Sequence, residues 1–122
     1  MGLKKLELPK ADHAFIGTWH IYEMSMWDED YFNMEIQAYI EIEPNNLGDF
    51  QFGLVTGFLD GYIEKPGNKE RFSFTWEGCD EMDEASGSGW LELNGDDEVE
   101  GLIGFHMGDR STFQAKKVSR AS

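Results

Sequence analysis

Residues 34–43 read MEIQAYIEIE, and apolar and polar side chains alternate along the whole stretch. Successive side chains of a β-strand point to opposite faces of the sheet, so this alternation predicts a strand with one buried face. The same period of two recurs in RFSFTW at 71–76, EVEGLIGFH at 98–106 and STFQAKKV at 111–118. No segment of ten residues carries the apolar stripe of an amphipathic helix. The sequence therefore predicts an all-β chain.

Glycine, asparagine and aspartate, which favour chain reversal, fall between the alternating runs. They are concentrated at 44–48, 65–69, 94–97 and 107–110. The predicted strands run approximately over 14–26, 32–43, 49–64, 70–76, 88–93, 98–106 and 111–118. Sequential strands with short links predict a single-domain antiparallel up-and-down β-barrel of seven or eight strands, because closure protects the strand edges.

Two segments leave the strand count open. WDEDYF at 27–32 fits either a tight reversal or one helical turn begun by Asp28, and we favour the reversal because alternation continues on both sides. The run 49–64 fits either one long strand bent at its glycines or two strands broken near Thr56 and Gly57. With eight strands, the reversals at 28–30, 80–84 and 108–110 come to the same end of the barrel and form a strongly negative rim.

Length and composition predict one domain over 1–122, with an ordered core over approximately 12–118 and frayed ends at 1–11 and 119–122. Hydrophobic residues make up 40% of the chain and aromatic residues 14%, which is enough for a core despite a net charge of -14. The first 15 residues lack the apolar block and cleavage pattern of a signal peptide. Cys79 is the only cysteine, so no internal disulfide is possible, and we expect a cytoplasmic protein.

The charge balance narrows the classes of partner. The chain has 24 acidic residues and 10 basic ones, which argues against binding to nucleic acid or to anionic membranes, since both require phosphate-neutralising Lys and Arg. An acidic protein attracts cations or a basic protein partner instead. Oligomeric state is left open.

Residues 76–90, WEGCDEMDEASGSGW, combine five carboxylates, four of them within 80–84, with small residues. Such a composition is typical of a solvated loop, and we expect this one to connect two strands. Asp80, Glu81, Asp83 and Glu84 offer oxygen ligands for a hard cation, but their spacing departs from the EF-hand pattern. Cys79 has no neighbouring Cys or His with which to bind zinc. We therefore expect no metal site and no cofactor.

The triplet Gly17-Thr18-Trp19 in FIGTWHIYEM resembles the Gly-x-Trp signature of the calycins, the lipocalin and fatty-acid-binding-protein-like barrels. In that family the tryptophan lies inside, near the closed end of the barrel, and a basic residue from the last strand packs across its indole. Lys116, Lys117 or Arg120 offers a counterpart here. The resemblance implies a small barrel that encloses a small apolar ligand.

The preferred hypothesis is non-enzymatic binding of a small, partly apolar ligand inside the barrel, with the aromatic residues supplying apolar contact. Glu23 and His106 would orient a polar end of the ligand. If side chains alternate from Trp19 onward, Glu23 lies in the interior of the barrel or at its open, solvated mouth. If a bulge interrupts the alternation, Glu23 lies on the outside. The predicted ligand-binding residues are Trp19, Glu23, Trp27, Trp76, Trp90 and His106.

Two alternatives belong to other functional classes. One is an acidic interaction module that binds a basic protein. The other is a small enzyme in which His106 acts as a general base with Glu92 or Glu100 across a strand pair. Trp90 and Glu92 share one face of their predicted strand, and Leu91 lies on the other face. In the next strand Glu100 and Ile103 likewise lie on opposite faces. Because aliphatic faces normally occupy the interior, we expect Trp90 and its polar neighbours to point outward.

Overall fold

The computed structural model describes residues 13–118, and within them eight antiparallel strands close into one barrel. Each strand pairs with the next in sequence, and the last pairs with the first. This confirms the predicted up-and-down barrel and sets the number of strands at eight. The predicted ends at 1–11 and 119–122, and Arg120, lie outside the described residues. The elements are β1 (Gly17–Met24), α1 (Glu29–Phe32), β2 (Tyr39–Ile42), β3 (Leu47–Phe52), β4 (Val55–Glu64), β5 (Arg71–Asp80), β6 (Asp83–Leu93), β7 (Glu98–Phe105) and β8 (Arg110–Lys117).

The link from β1 to β2 is a helical turn, so the tight reversal favoured from the sequence is wrong. Asp28 caps α1, and its Oδ1 accepts a hydrogen bond from the Tyr31 amide at 3.3 Å. After α1, the Asn33 Oδ1 accepts from the amide of Ala38 at 2.8 Å, a local bond that competes with strand pairing. The predicted strand 32–43 is thereby shortened to β2, and Met34 and Ile36 are exposed.

The run 49–64 forms two strands, β3 and β4, and the break lies at Gly53 and Leu54 rather than near Thr56 and Gly57. Gly53 has a φ of 59°, a left-handed conformation that glycine adopts without a steric penalty. Its amide donates to the carbonyl of Phe32 at 2.9 Å, which ties this turn to the end of α1.

Residues 76–90 are a β-hairpin, and the predicted solvated loop is wrong. β5 continues to Asp80 and β6 begins at Asp83, so only Glu81 and Met82 form the turn. The Glu81 amide donates to the carbonyl of Leu54 at 2.9 Å and docks this hairpin against the turn between β3 and β4. The carboxylates therefore lie on a β-hairpin whose strands are paired and whose turn is hydrogen-bonded to a neighbouring turn.

Aromatic rings and inward-facing glycines together fill the barrel. A Cβ atom on Gly57 would lie 2.6 Å from Phe50 Cζ and 2.8 Å from Trp76 Cε3, so only glycine leaves room for these rings. Gly89 gives Phe74 its space in the same way. The buried hydrophobic residues are Phe15, Trp19, Ile21, Met24, Phe32, Ala38, Ile40, Ile42, Phe50, Phe52, Val55, Leu59, Phe72, Phe74, Trp76, Leu91, Val99, Ile103, Phe113 and Ala115.

The barrel has two ends that differ in composition. The plug end comprises residues 13–16 and the links 43–46, 65–70 and 94–97. The acidic end comprises residues 25–38, which include α1, and the links 53–54, 81–82 and 106–109. The reversals at 28–30, 80–84 and 108–110 share the acidic end, as the eight-strand alternative predicts. No helix within residues 13–118 is long and apolar enough to cross a membrane.

Candidate functional site

A cleft of about 1120 Å³ opens at the acidic end. The half-buried rings of Trp27 and Phe105 lie on it. Rings and carboxylates come together because three separate connections meet at this end of the closed barrel. The β1–β2 connection supplies Trp27, and the β5–β6 and β7–β8 connections supply the carboxylates. The carboxylate residues on the cleft are Glu77, Asp80, Asp83, Glu84 and Asp109.

The aromatic part of the cleft is continuous with the core. The ring centroids of Trp27 and Phe52 are 5.2 Å apart, and those of Phe105 and Trp76 are 5.3 Å apart in an edge-to-face arrangement. The Trp76 Nε1 donates to the carbonyl of Gly104 at 3.1 Å, which satisfies its only polar group. A ligand at the cleft would therefore meet rings that are already held in place by packing.

The carboxylates of the cleft have no basic side chain within ion-pair distance among residues 13–118. Both ion pairs in this part of the chain involve Glu92, with Lys69 at 3.6 Å and Arg71 at 2.7 Å. In the same residues, no group of three or more His, Cys, Asp and Glu side chains is arranged to hold a metal ion. The cleft therefore combines uncompensated negative charge with exposed aromatic surface.

Trp19, the first predicted site residue, lies at the plug end away from this cleft. It is fully buried, and its Nε1 donates to the carbonyl of Phe15 at 2.9 Å. Lys117 on β8 places its Nζ 5.4 Å from the centroid of the indole. The basic counterpart expected from the resemblance is thus present at Lys117. It lies close to Gly17, whose φ is 134° and where an added Cβ would lie 3.0 Å from Lys117 Cε.

Glu23 and Trp90 lie on the outside of the barrel. The register of β1 against β8 shifts between Ile21 and Glu23, and this bulge turns Glu23 outward, the third of the predicted alternatives. Trp90 points outward, as expected from the aliphatic face opposite, and Arg71 Cζ lies 4.2 Å from its ring centroid. Glu23 and Trp90 do share a cleft of about 300 Å³, but it lies on the outer face formed by β6, β7, β8 and β1.

His106 is exposed at the acidic end, just beyond β7, and lines the 1120 Å³ cleft together with Trp27. Glu92 and Glu100 are direct cross-strand partners on β6 and β7, well before the end of β7. The structure therefore does not bring His106 to either glutamate. The carboxylates that share a cleft with His106 are instead those of Glu77, Asp80, Asp83, Glu84 and Asp109.

Phe105 and Asp109 line the cleft but were not among the predicted site residues. The alternation of β7 predicts Phe105 as core with Val99 and Ile103, which are fully buried, whereas Phe105 is only partly buried because it ends the strand. Its position next to the MGDR turn is the signal in the sequence that indicates partial exposure. Comparison of the chain with protein-family models, curated proteins and solved structures finds no match in any of the three.

Proposed function

We propose that this chain is a non-enzymatic binding protein for a small, partly apolar molecule that carries a positive charge. The ligand would occupy the acidic-end cleft, with its apolar part against Trp27 and Phe105 and its cation near Asp83, Glu84 and Asp109. The observation that carries the proposal is that half-buried rings lie on one cleft with carboxylates that have no ion-pair partner among residues 13–118.

The chemistry of these groups explains the preference for a cation. The face of an indole attracts ammonium and guanidinium groups, and a cleft lined by charges of one sign concentrates ions of the other sign. The interior beneath the cleft is occupied by buried side chains such as Phe52 and Trp76, so we propose a ligand at the mouth of the barrel rather than inside it, as the sequence-based hypothesis had it. A calycin-like barrel and a cytoplasmic location belong to the same proposal, supported by the Lys117–Trp19 contact and by the single, exposed Cys79.

Binding of three matched probes tests this proposal. Benzyltrimethylammonium, benzyl alcohol and benzoate share an aromatic ring and differ in charge, and tryptophan fluorescence reports their binding. We expect the cation to bind at least about ten times more tightly than the neutral probe, and benzoate to bind weakest. Equal affinities for all three probes would refute a cation site.

A pair of tryptophan variants locates the bound probe. We expect Trp27→Leu to lose most of the affinity for benzyltrimethylammonium, because this ring lies on the cleft. Trp90→Leu is the matched control on the outer face and should bind like the wild type. If the Trp90 variant loses affinity and the Trp27 variant retains it, the proposed position of the site is wrong.

A further inference from the structure

A second groove, of about 750 Å³, crosses the outside of the barrel next to the acidic end. Its floor is formed by short side chains on adjacent strands, Thr75 of β5 and Ser86 and Ser88 of β6. Phe58 and Asp60 of β4 form one wall, and Met107 and Arg110 form the other. We call this surface the outer groove.

Serine lacks the β-branched or aromatic side chain that is typical of strands, so the outward face of β6 is low at Ser86 and Ser88. Ser86 and Ser88 are both exposed, and Gly104 lies beside them on β7. The result is a trough in which the sheet surface itself is accessible. An extended chain matches such a trough because its side chains also repeat with a period of two.

Phe58 is the most exposed apolar ring on the groove. Its side chain is 74% exposed although it stands in the middle of β4. Its direct cross-strand partners are Asp49 on β3 and Glu77 on β5, and directly opposite side chains lie close enough to act together on a third group. A ring flanked by carboxylates suits a lysine or arginine side chain, whose aliphatic stem packs on the ring while its cation meets the acids.

Charge determines which kind of partner fits. Asp60 and Glu77 have no ion-pair partner among residues 13–118, since both ion pairs there involve Glu92. Of the described residues, Arg110 is the only Lys or Arg on the groove, and it stands on the wall opposite Phe58. A second copy of this chain would bring its own net charge of -14, and nucleic acid is likewise repelled.

We propose that the outer groove docks an extended basic segment of a partner protein, in which lysine or arginine alternates with apolar residues. Its basic residues lie along the β4–β5 side, against Phe58, Asp60 and Glu77, its apolar residues face Met107 on the opposite wall, and its backbone lies over the short side chains of the floor. The inference goes beyond the proposed small-molecule site, because Asp60 and the floor residues Thr75 and Ser88 do not line the acidic-end cleft.

The test measures fluorescence anisotropy of a labelled peptide that alternates lysine with leucine, titrated with the full chain. A peptide that alternates glutamate with leucine is the charge control. We expect the lysine peptide to bind, the glutamate peptide not to bind, and the affinity to fall as salt rises from low to high ionic strength. Failure of the lysine peptide to bind, or binding that salt does not weaken, overturns the proposal.

Matched double variants distinguish binding at the outer groove from non-specific attraction to the acidic protein. We expect Asp60→Asn combined with Glu77→Gln to weaken binding of the lysine peptide about tenfold. Glu23→Gln combined with Glu100→Gln removes the same number of charges from the other outer cleft and should leave affinity unchanged. Equal losses in both double variants mean non-specific attraction and overturn the proposal.

Two aromatic variants complete the test. Phe58→Ser should weaken peptide binding several-fold, whereas Tyr62→Ser, which removes another exposed ring from β4, should not. Trp27→Leu should keep peptide affinity while losing benzyltrimethylammonium, so failure of the small-molecule proposal is distinguishable from failure of this one. Unchanged peptide affinity in a folded Phe58→Ser variant contradicts the proposal that the peptide binds in the outer groove.

Discussion

The two ends of the barrel are closed by different means. At the plug end, residues 13–16 cover Trp19, and the His13 Nε2 forms a hydrogen bond with Asn46 Oδ1 at 2.8 Å. At the acidic end, α1 covers the interior but leaves Trp27 half-buried beside carboxylates that have no ion-pair partner in the described part of the chain. The basic residues of the described chain at or near the plug end are Lys65, Lys69, Arg71, Lys116 and Lys117, and only Arg110 stands at the acidic end.

This difference separates residues that stabilise the fold from residues available for binding. The Trp19 ring is fully buried, and its Nε1 donates a hydrogen bond to the Phe15 carbonyl, so it has no free surface for an external ligand. At the acidic end, part of each ring stays exposed and the carboxylates repel one another. This repulsion lowers the stability of the fold and favours binding of a cationic partner. The predictions below test the separation in order of decreasing effect.

The largest effect is expected at the plug end. Trp19→Ala should lower the free energy of unfolding by about 3–5 kcal/mol, because it removes a fully buried ring. Trp90→Ala, the matched control on the outer face, should cost about 1 kcal/mol or less, since it removes mainly the stacking with Arg71. Denaturant unfolding followed by circular dichroism measures both. Similar losses in the two variants contradict the distinction between a buried and a surface tryptophan.

Gly57→Ala tests the packing of rings against glycines beneath the acidic end. The new Cβ would lie 2.6 Å from Phe50 Cζ, so the rings must shift, at a cost of about 1–3 kcal/mol. In Gly104→Ala the nearest atom is the flexible Arg110 Cγ at 3.3 Å, and the change should be much smaller. Thermal denaturation of the two variants compares them directly. A Gly57→Ala protein as stable as Gly104→Ala indicates spare room in the interior.

Alkaline pH should weaken the protein through Tyr39 between β2 and β3. Burial, with a hydrogen bond from its hydroxyl to Asp49, raises the pKa of Tyr39 from 10.0 to about 12. Because the folded state holds this proton more tightly, the stabilisation is complete below pH 10 and is lost as pH rises through 12. Unfolding free energies measured across that window should fall less steeply in Tyr39→Phe than in the wild type. If the unfolding free energy falls equally steeply with pH in the two proteins, Tyr39 is not the cause of the loss of stability.

The smallest effect concerns charge at the tip of the β5–β6 hairpin. Asp80 and Asp83 are direct cross-strand partners, and like charges at such positions repel. Asp80→Asn with Asp83→Asn should raise the free energy of unfolding by about 0.5 kcal/mol at low salt, and the gain should shrink as salt screens the repulsion. Asp96→Asn with Asp97→Asn at the plug end is the control, and it should gain less because Lys117 and the other cations lie at that end. Equal gains at both ends contradict the difference in charge compensation.

Local patterns predicted the barrel but not its irregularities. The alternation of Phe72, Phe74 and Trp76 correctly assigned their buried face. Residues 85–89, ASGSG, have the composition of a loop, yet they are paired in β6. An added Cβ would overlap the Gly104 carbonyl oxygen at Gly87 and the Leu102 carbonyl oxygen at Gly89. These glycines therefore allow the β7 backbone, and the rings of Trp76 and Phe74, to approach closely, which composition cannot show.

The candidate site was predicted only in part. Trp27 and His106 meet on the cleft, while Trp19, Glu23, Trp76 and Trp90 lie elsewhere. Glu23 illustrates why, because a bulge that depends on the register between β1 and β8 reverses the face of every later residue in the strand. Register between strands distant in sequence leaves no trace in the local alternation of either strand.

By itself, the sequence determined an all-β chain, an acidic character and the approximate positions of the turns, because side-chain period, net charge and turn propensity are local or additive properties. Closure decided the rest. The pairing of β8 with β1 fixed eight strands and gathered alternate links at one end, so that carboxylates from two distant segments, the β5–β6 hairpin and the β7–β8 link, came to share a cleft with Trp27 and Phe105. Such a juxtaposition arises only when non-local strand pairing places distant turns side by side.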